Sequence, residues 1–206
     1  MKALDKKIYL ASKSPRRREL LRQINVDFEL LLLRDRAPNG PDVDEAVKEG
    51  ESASEYVARV AREKADYSFQ IMQWRKLPLR PILAADTVVS IDDRILCKPA
   101  DRAQAIAMLT SMSGRTHHVL TSIVVRHEQK TLQVTQRSDV MFAPLSEAVI
   151  RAYCSTSEPF DKAGAYGIQG LASLFVQHIT GSYTGIMGLP LFETAQLLQQ
   201  AGVHIL

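Results

Sequence analysis

A chain of 206 residues with 46% hydrophobic and 24% charged side chains has the composition of a globular domain with a real core, which argues against disorder. Its formal net charge of +3 is too small for the concentrated basic surface of a dedicated nucleic-acid binder, though it leaves room for a local basic pocket. Cys97 and Cys154 make neither a disulfide framework nor a zinc spacing, and read as thiols in a reducing cytosol.

Met1 to Lys7 lacks the apolar core of a signal peptide, and the run from Val26 to Leu33 carries Asp27 and Glu29. The expectation is a soluble, cytoplasmic protein with no membrane span. A first strand, Ile8 to Ala11, leads into Ser12-Lys13-Ser14-Pro15-Arg16-Arg17-Arg18. Pro15 suits the first position of a helix and Ser14 the cap before it, so a helix is predicted to Ile24. A helix start exposes unpaired N–H groups and partial positive charge; arginines beside it make a site for a polyanion, phosphates foremost. The plainer alternative is a capped surface helix with a solvated basic turn.

A strand over Phe28 to Leu33 precedes a loop with Pro38, Gly40, Pro41 and Gly50, which holds Asp42-Val43-Asp44-Glu45. Those acids suit a hard cation such as magnesium, or simply a solvated loop. Ser52 and Glu55 form a capping box at the head of a helix predicted to run to about Phe69. Val57, Val60 and Ala61 set an apolar stripe whose next position is Lys64. A lysine there points toward a site, or lays its stem over the core with its head in water.

A strong strand from Ile82 to Ile91, an Asp92-Asp93 turn and a short strand from Arg94 to Cys97 read as a hairpin. Asp86 breaks the apolar run of that first strand. A buried carboxylate is costly unless it faces a cleft, a cation or a metal; the alternative is a strand-end acid paired with a structural arginine. Lys98 is held extended by Pro99, or is an ordinary surface lysine.

Asp101 caps a helix ending near Gly114; alternating strands follow over Val119 to Val125 and Leu132 to Phe142, then a helix from Ser146 to Cys154. Asp161 to Gly170 forms a loop with three glycines, in which the Gln169 amide suits reading of a base edge or a plain surface role. A strand over Ser173 to Ile179 and a helix from Pro190 complete the chain. His117 and His118 face opposite sides of a strand, and His127, His178 and His204 lack metal spacing. Trp74 reads as packing. The predicted fold is α/β or α+β: a mixed, largely antiparallel sheet flanked by helices, one domain over 1–206 with two lobes around a cleft.

Five segments together resemble the Maf family of nucleoside triphosphate pyrophosphatases: Ser12 to Arg17, Ala61 to Ala65, Ala85 to Val89, Asp161 to Gly170, and Gly188 to Leu191. The similarity runs from Leu10 to about Leu198. It implies hydrolysis of a nucleoside triphosphate to the monophosphate and pyrophosphate with a divalent metal, Mg2+, Mn2+ or Co2+. By the resemblance, Asp86 activates water, Lys64 and Lys98 contact phosphates, and Ser12, Arg16 and Arg17 form a phosphate-binding turn joined by Lys162. Glu45 becomes a catalytic or metal-linked acid, with Asp86 as base, metal ligand or both. Arg16, Thr87 and Gln169 match the branch acting on dTTP and UTP, with modified pyrimidine triphosphates as further substrates and a homodimer as the assembly. The competing readings are a 7-methyl-GTP-type pyrophosphatase, a nucleotide-binding regulator of cell division with little hydrolysis, and a nucleic-acid binder using the arginine turn.

Overall fold

The computed structural model describes residues 7–34 and 42–205; Pro38, Gly40 and Pro41 of the expected loop lie outside the described residues. Seven strands form one sheet in the order β2-β1-β3-β5-β6-β7: β1 (Ile8–Leu10), β2 (Phe28–Leu30), β3 (Ile82–Ile91), β4 (Arg94–Leu96), β5 (Thr116–His127), β6 (Lys130–Phe142) and β7 (Val176–Thr180). β1 lies parallel to β2 and β3, whereas β3, β5, β6 and β7 pair antiparallel in turn, and β4 folds back on β3. The fold is therefore a mixed, mostly antiparallel sheet flanked by helices.

β3 is buried on both faces, which is why it reads as a nearly unbroken apolar run. Ile82 and Ala84 pack under helix α2 (Ala53–Trp74) through Ala61, Ala65 and Met72. Leu83 and Ala85 pack on the opposite face against Leu20 and Leu21 of helix α1 (Pro15–Gln23) and against Leu197 and Leu198 near the C-terminus. Beyond the strand's middle a second core takes over, in which Val89, Ile91 and Val119 meet helix α3 (Arg102–Met112) and helix α4 (Glu147–Tyr153). A short helix α5 (Tyr183–Ile186) and the last helix α6 (Leu191–Gln200) close the chain. Truncating a core leucine such as Leu83 to alanine would cost about 2–5 kcal/mol.

The start of α1 follows its sequence signals: Ser14 caps it, with its hydroxyl 3.4 Å from the Arg17 amide, and Pro15 stands in the first turn. The capping box of Ser52 and Glu55 opens α2. Ile71 and Met72 continue the apolar stripe, so α2 runs past Phe69 to Trp74. Trp74 is 68% exposed and meets Tyr67 edge-on, so it packs at the surface and not in the core. β2 stops at Leu30 and not Leu33, because the Leu31 amide takes the last carbonyl that β1 offers, that of Leu10. Ser173 to Phe175 belong to a 3-10 turn following Gly170, and the strand expected from Ser173 begins at Val176. Among the described residues, no helix is long and apolar enough to cross a membrane.

His117 points into the second core and His118 to the opposite side, where its Nδ1 lies 2.7 Å from Asp139. His117 is completely buried, 2.8 Å from the Tyr166 hydroxyl, with its ring edge-on to Phe142 and Tyr166. Burial pulls its pKa from 6.5 down to about 4. The unfolded chain therefore binds this proton at a pH where the folded chain does not. Stability from this site is full above about 6.5, falls as the pH drops toward 4, and has no further slope below that. Urea unfolding between pH 7 and pH 4 is expected to show this loss. His117→Gln should remove that part of the slope while lowering stability at pH 7; an unchanged slope in the variant would refute the assignment.

Candidate active site

The edge of β3 changes partner along its length. The carbonyls of Pro81, just before the strand, and of Leu83 accept from the Tyr9 and Ala11 amides, after which the chain leaves β1 for the Ser12 turn. β4 takes up pairing only at Val89. The interval between holds Asp86 and Thr87, and a cleft of about 860 Å³ opens over it. Ser12, Arg16, Arg17, Glu45, Lys64, Asp86, Thr87, Lys98, Lys162 and Gln169 all line this cleft. These ten residues thus come to one place, whereas Asp42 and Asp44 of the acidic run do not line it.

Alternation along β3 sends Asp86 toward α2 and Thr87 toward α1. On the α2 side the Lys64 ammonium lies 2.8 Å from Asp86 Oδ1 and 2.8 Å from Glu45 Oε1. Lys64 and Asp86 side chains are 15% and 12% exposed, so each needs the other: an unpaired ion at that depth costs on the order of several kcal/mol. Glu45, at 52%, faces the opening. Its loop is held from α2. The Tyr56 hydroxyl donates to the Glu45 carbonyl at 3.0 Å, and Arg59 donates to the carbonyls of Asp44 and Ala46 at 3.2 and 2.9 Å. Arg59 is itself gripped by Glu51 at 2.6 Å, and that contact pulls the Glu51 carboxyl down to about 2. Arg59 escaped sequence reading because, with Glu63 four residues on, it looks like an ordinary surface helix pair.

The acidic run divides by direction. Asp42 turns away from the cleft to Arg34 and the Tyr67 hydroxyl, and Asp44 accepts from the Ala46 amide. Burial pushes the Cys97 thiol above its ordinary value, which disfavours a thiolate nucleophile beside Lys98.

On the α1 side Arg17 is a clamp. Its Nε donates to the Gly188 carbonyl at 2.7 Å, Nη1 to the Ala85 carbonyl at 2.8 Å and to Ser12 Oγ at 3.2 Å, and Nη2 to Thr87 Oγ1 at 3.0 Å. Four of its five N–H groups are thereby committed to the protein. Desolvation lowers its pKa against the pull of Asp86 and Glu45. Ser12 Oγ also accepts from the Ser14 amide at 3.2 Å. A Cβ at Gly188, where φ is +104°, would press on Thr87 Oγ1 at 3.3 Å, so this close approach and backbone angle both favour glycine.

The direction of the hydroxyl chain follows from counting protons. Thr121 gives its one hydrogen to the Gly185 carbonyl at 2.8 Å, so in the 2.9 Å contact between Thr87 and Thr121 it is Thr87 that donates. The Thr87 hydroxyl is thus fixed by Arg17 and Thr121, and bears on the cleft through the groups it holds.

The third wall is the loop after α4. Arg16 Nη2 stands 3.7 Å from Asp161 Oδ2, and Lys162 pairs with the same carboxylate while donating to the Glu158 carbonyl at 2.6 Å. Exposed Lys98 and Gln169 make no hydrogen bond or ion pair among the described residues. The cleft therefore has an acidic pole at Glu45 and Asp86, with Lys64 between them, and a basic side formed by Arg16, Lys98 and Lys162.

For a divalent cation, two carboxylates converge, and among the described residues no cluster of three or more His, Cys, Asp or Glu does so. That donor set suits a hard ion such as Mg2+, which takes one or two carboxylates and completes its shell with water and substrate phosphates.

Residues 7–201 match the family model described as "Maf-like protein". A "dTTP/UTP pyrophosphatase" of Aromatoleum aromaticum is 52% identical over 204 residues, covering 98% of each chain. Proteins of the same name from Dechloromonas aromatica and Chromobacterium violaceum are each 49% identical, covering 95% and 100% of this chain and 98% and 100% of their own.

The two neighbouring arginines separate by substitution. Arg17→Lys keeps the charge but loses the fork, leaving buried acceptors unmet at a cost of about 3 kcal/mol, or roughly 6–12 °C in Tm. Arg16→Lys, at the cleft wall, is expected to leave Tm within about 2 °C. Equal melting shifts for the two variants would contradict the clamp.

Proposed function

Since the chain belongs to the Maf family, we propose that it hydrolyses dTTP and UTP, with modified pyrimidine triphosphates as further substrates, to the monophosphate and pyrophosphate. The observation that carries this reading is the meeting of Asp86, Lys64 and Glu45 in one cleft opposite a basic wall. A triphosphate brings about four negative charges near neutral pH, and catalysis must offset charge developing at the reacting phosphorus. Arg16, Lys98 and Lys162 supply cations on the wall, and their side chains receive the phosphate chain. Arg17 acts from behind, holding the Ser12 turn and Thr87.

Asp86 accepts the proton of the water that attacks the α-phosphorus, and pyrophosphate leaves. Lys64 offsets the repulsion between Asp86 and Glu45 and orients both carboxylates toward the cleft. Glu45 and Asp86 would hold a divalent cation, Mg2+, Mn2+ or Co2+, which supplies polarisation of phosphate oxygens and acidification of water. Gln169 offers an amide with both donor and acceptor to the adjacent N–H and C=O of a uracil or thymine ring. Two free thiols and a nucleotide substrate fit a cytoplasmic location.

Pyrophosphate release from a panel of nucleoside triphosphates, run with each of the three metals, tests the reading. UTP and dTTP are expected to lead the panel. Asp86→Asn should lose roughly 10²–10⁴-fold in kcat while keeping its Tm, since the amide oxygen still accepts from Lys64. Full turnover in that variant would remove Asp86 from the chemistry. Gln169→Glu, which exchanges the amide donor for an acceptor, is expected to lower kcat/KM for UTP about tenfold; an unaltered pyrimidine preference would exclude Gln169 as the base reader.

A further inference from the structure

Glu158 stands outside the groups assigned above, yet it fastens both ends of the loop that forms the third wall. Its carbonyl accepts from the Lys162 ammonium at 2.6 Å. Its carboxylate reaches past the loop's own glycines to the far end. Oε2 accepts from the Leu171 amide at 2.9 Å, and Oε1 from the Ala172 amide at 3.3 Å and the Tyr153 hydroxyl at 3.0 Å. These are the first amides of the turn beginning directly after Gln169 and Gly170. A Cβ at Gly170 would overlap the Glu158 carboxylate, so glycine at that position makes the room this contact needs. The side chain of Gln169 has no hydrogen bond of its own among the described residues. Its placement is therefore set by the backbone on either side, and the downstream side is held by Glu158.

We propose that Glu158 is a positioning residue for base selection: its carboxylate, braced by Tyr153, fixes the turn that presents Gln169, while its carbonyl fixes Lys162. The proposal rests on the reading of Gln169 as the group that meets the base. Charge-assisted bonds from a carboxylate to two successive amides are the stronger kind of hydrogen bond, and they restrain a backbone more tightly than a neutral acceptor does. Glu158→Gln is a selective probe. An amide oxygen at the Oε1 position still serves Tyr153 and Ala172, but an NH2 group then faces the Leu171 N–H, donor against donor. The turn is released next to Gln169, while Lys162 keeps the backbone carbonyl it donates to.

The experiment measures kcat/KM for UTP and for ATP in the unmodified protein, Glu158→Gln, Gln169→Ala and the double variant. Each single variant is expected to lower the UTP-to-ATP ratio about tenfold, and the double variant no further than the lower single, because both act through one side chain. A role in folding alone predicts a lower Tm with an unchanged ratio, and that result overturns the proposal. A ratio that falls in Gln169→Ala but not in Glu158→Gln overturns it too and leaves the base reader intact. A ratio that falls in Glu158→Gln but not in Gln169→Ala, or additive effects in the double variant, overturns the route through Gln169. An unmoved ratio in both variants overturns the base reader and the proposal together. Should Glu158→Gln fail to fold, Tyr153→Phe removes only the brace; a fall in the ratio of about two- to threefold is expected, and no change counts against the proposal.

Discussion

The cleft exists because one edge of β3, the edge away from β5, is left without a strand partner between its pairings with β1 and β4. The carbonyls at residues 81 and 83 are met by the Tyr9 and Ala11 amides, in and just after β1, and the next in that series, at Ala85, is met by the guanidinium of Arg17. A buried carbonyl with no donor would destabilise the sheet by about 1–3 kcal/mol, and water entering there would compete with any ligand. The arginine fills that rung and uses its remaining donors to hold the Ser12 turn, Thr87 and the Gly188 loop at fixed distances. The gap in edge pairing that gives a ligand access is thus kept rigid by one side chain from the helix that follows β1.

From that interruption the site divides by the period of a strand. Asp86 and Thr87 are consecutive, so they face opposite helices. The acid meets Lys64 of α2, and the hydroxyl meets Arg17 of α1. The carboxylate with its lysine and the hydroxyl with its arginine are separated by one residue of sequence and one face of the sheet. Each then draws on its own supporting set: Tyr56, Arg59 and Glu51 around the Glu45 loop, Thr121 and Gly185 behind Thr87.

The loop from Glu158 to Ala172 has another construction. Ala165, Tyr166, Ile168 and Ala172 anchor it in the second core, and ions and hydrogen bonds hold its polar side: Arg16 and Lys162 on Asp161, Lys162 and two amides on Glu158. Such contacts are directional, so they fix position well. They are also the contacts most open to competition from a polyanion, since a phosphate and a carboxylate offer the same cations the same chemistry. Arg16 and Lys162 are for that reason suited to exchange a protein carboxylate for a substrate oxygen.

Local rules in the sequence determined the helix starts at Pro15 and after Ser52, the alternating strands and the mixed sheet, since capping, periodicity and a misplaced charge each leave a mark within a few positions. The full set of ten cleft residues came from these marks together with the family resemblance, which alone singled out Glu45 from its acidic run and brought in Thr87. The mark of Lys64 was its place on an apolar stripe, and that of Asp86 its place in an apolar strand. Only the tertiary structure decided that these two meet, that Arg17 serves the protein's own carbonyls while Arg16 faces the cleft, and that Asp42 turns away from Glu45. The end of β2 at Leu30 and the late start of β7 were decided there as well, because a strand lasts only as long as its neighbour supplies partners. Arg59, Thr121 and Glu158 gave no signal in the chain, because each acts on backbone groups, and a backbone carbonyl or amide has no letter in a sequence.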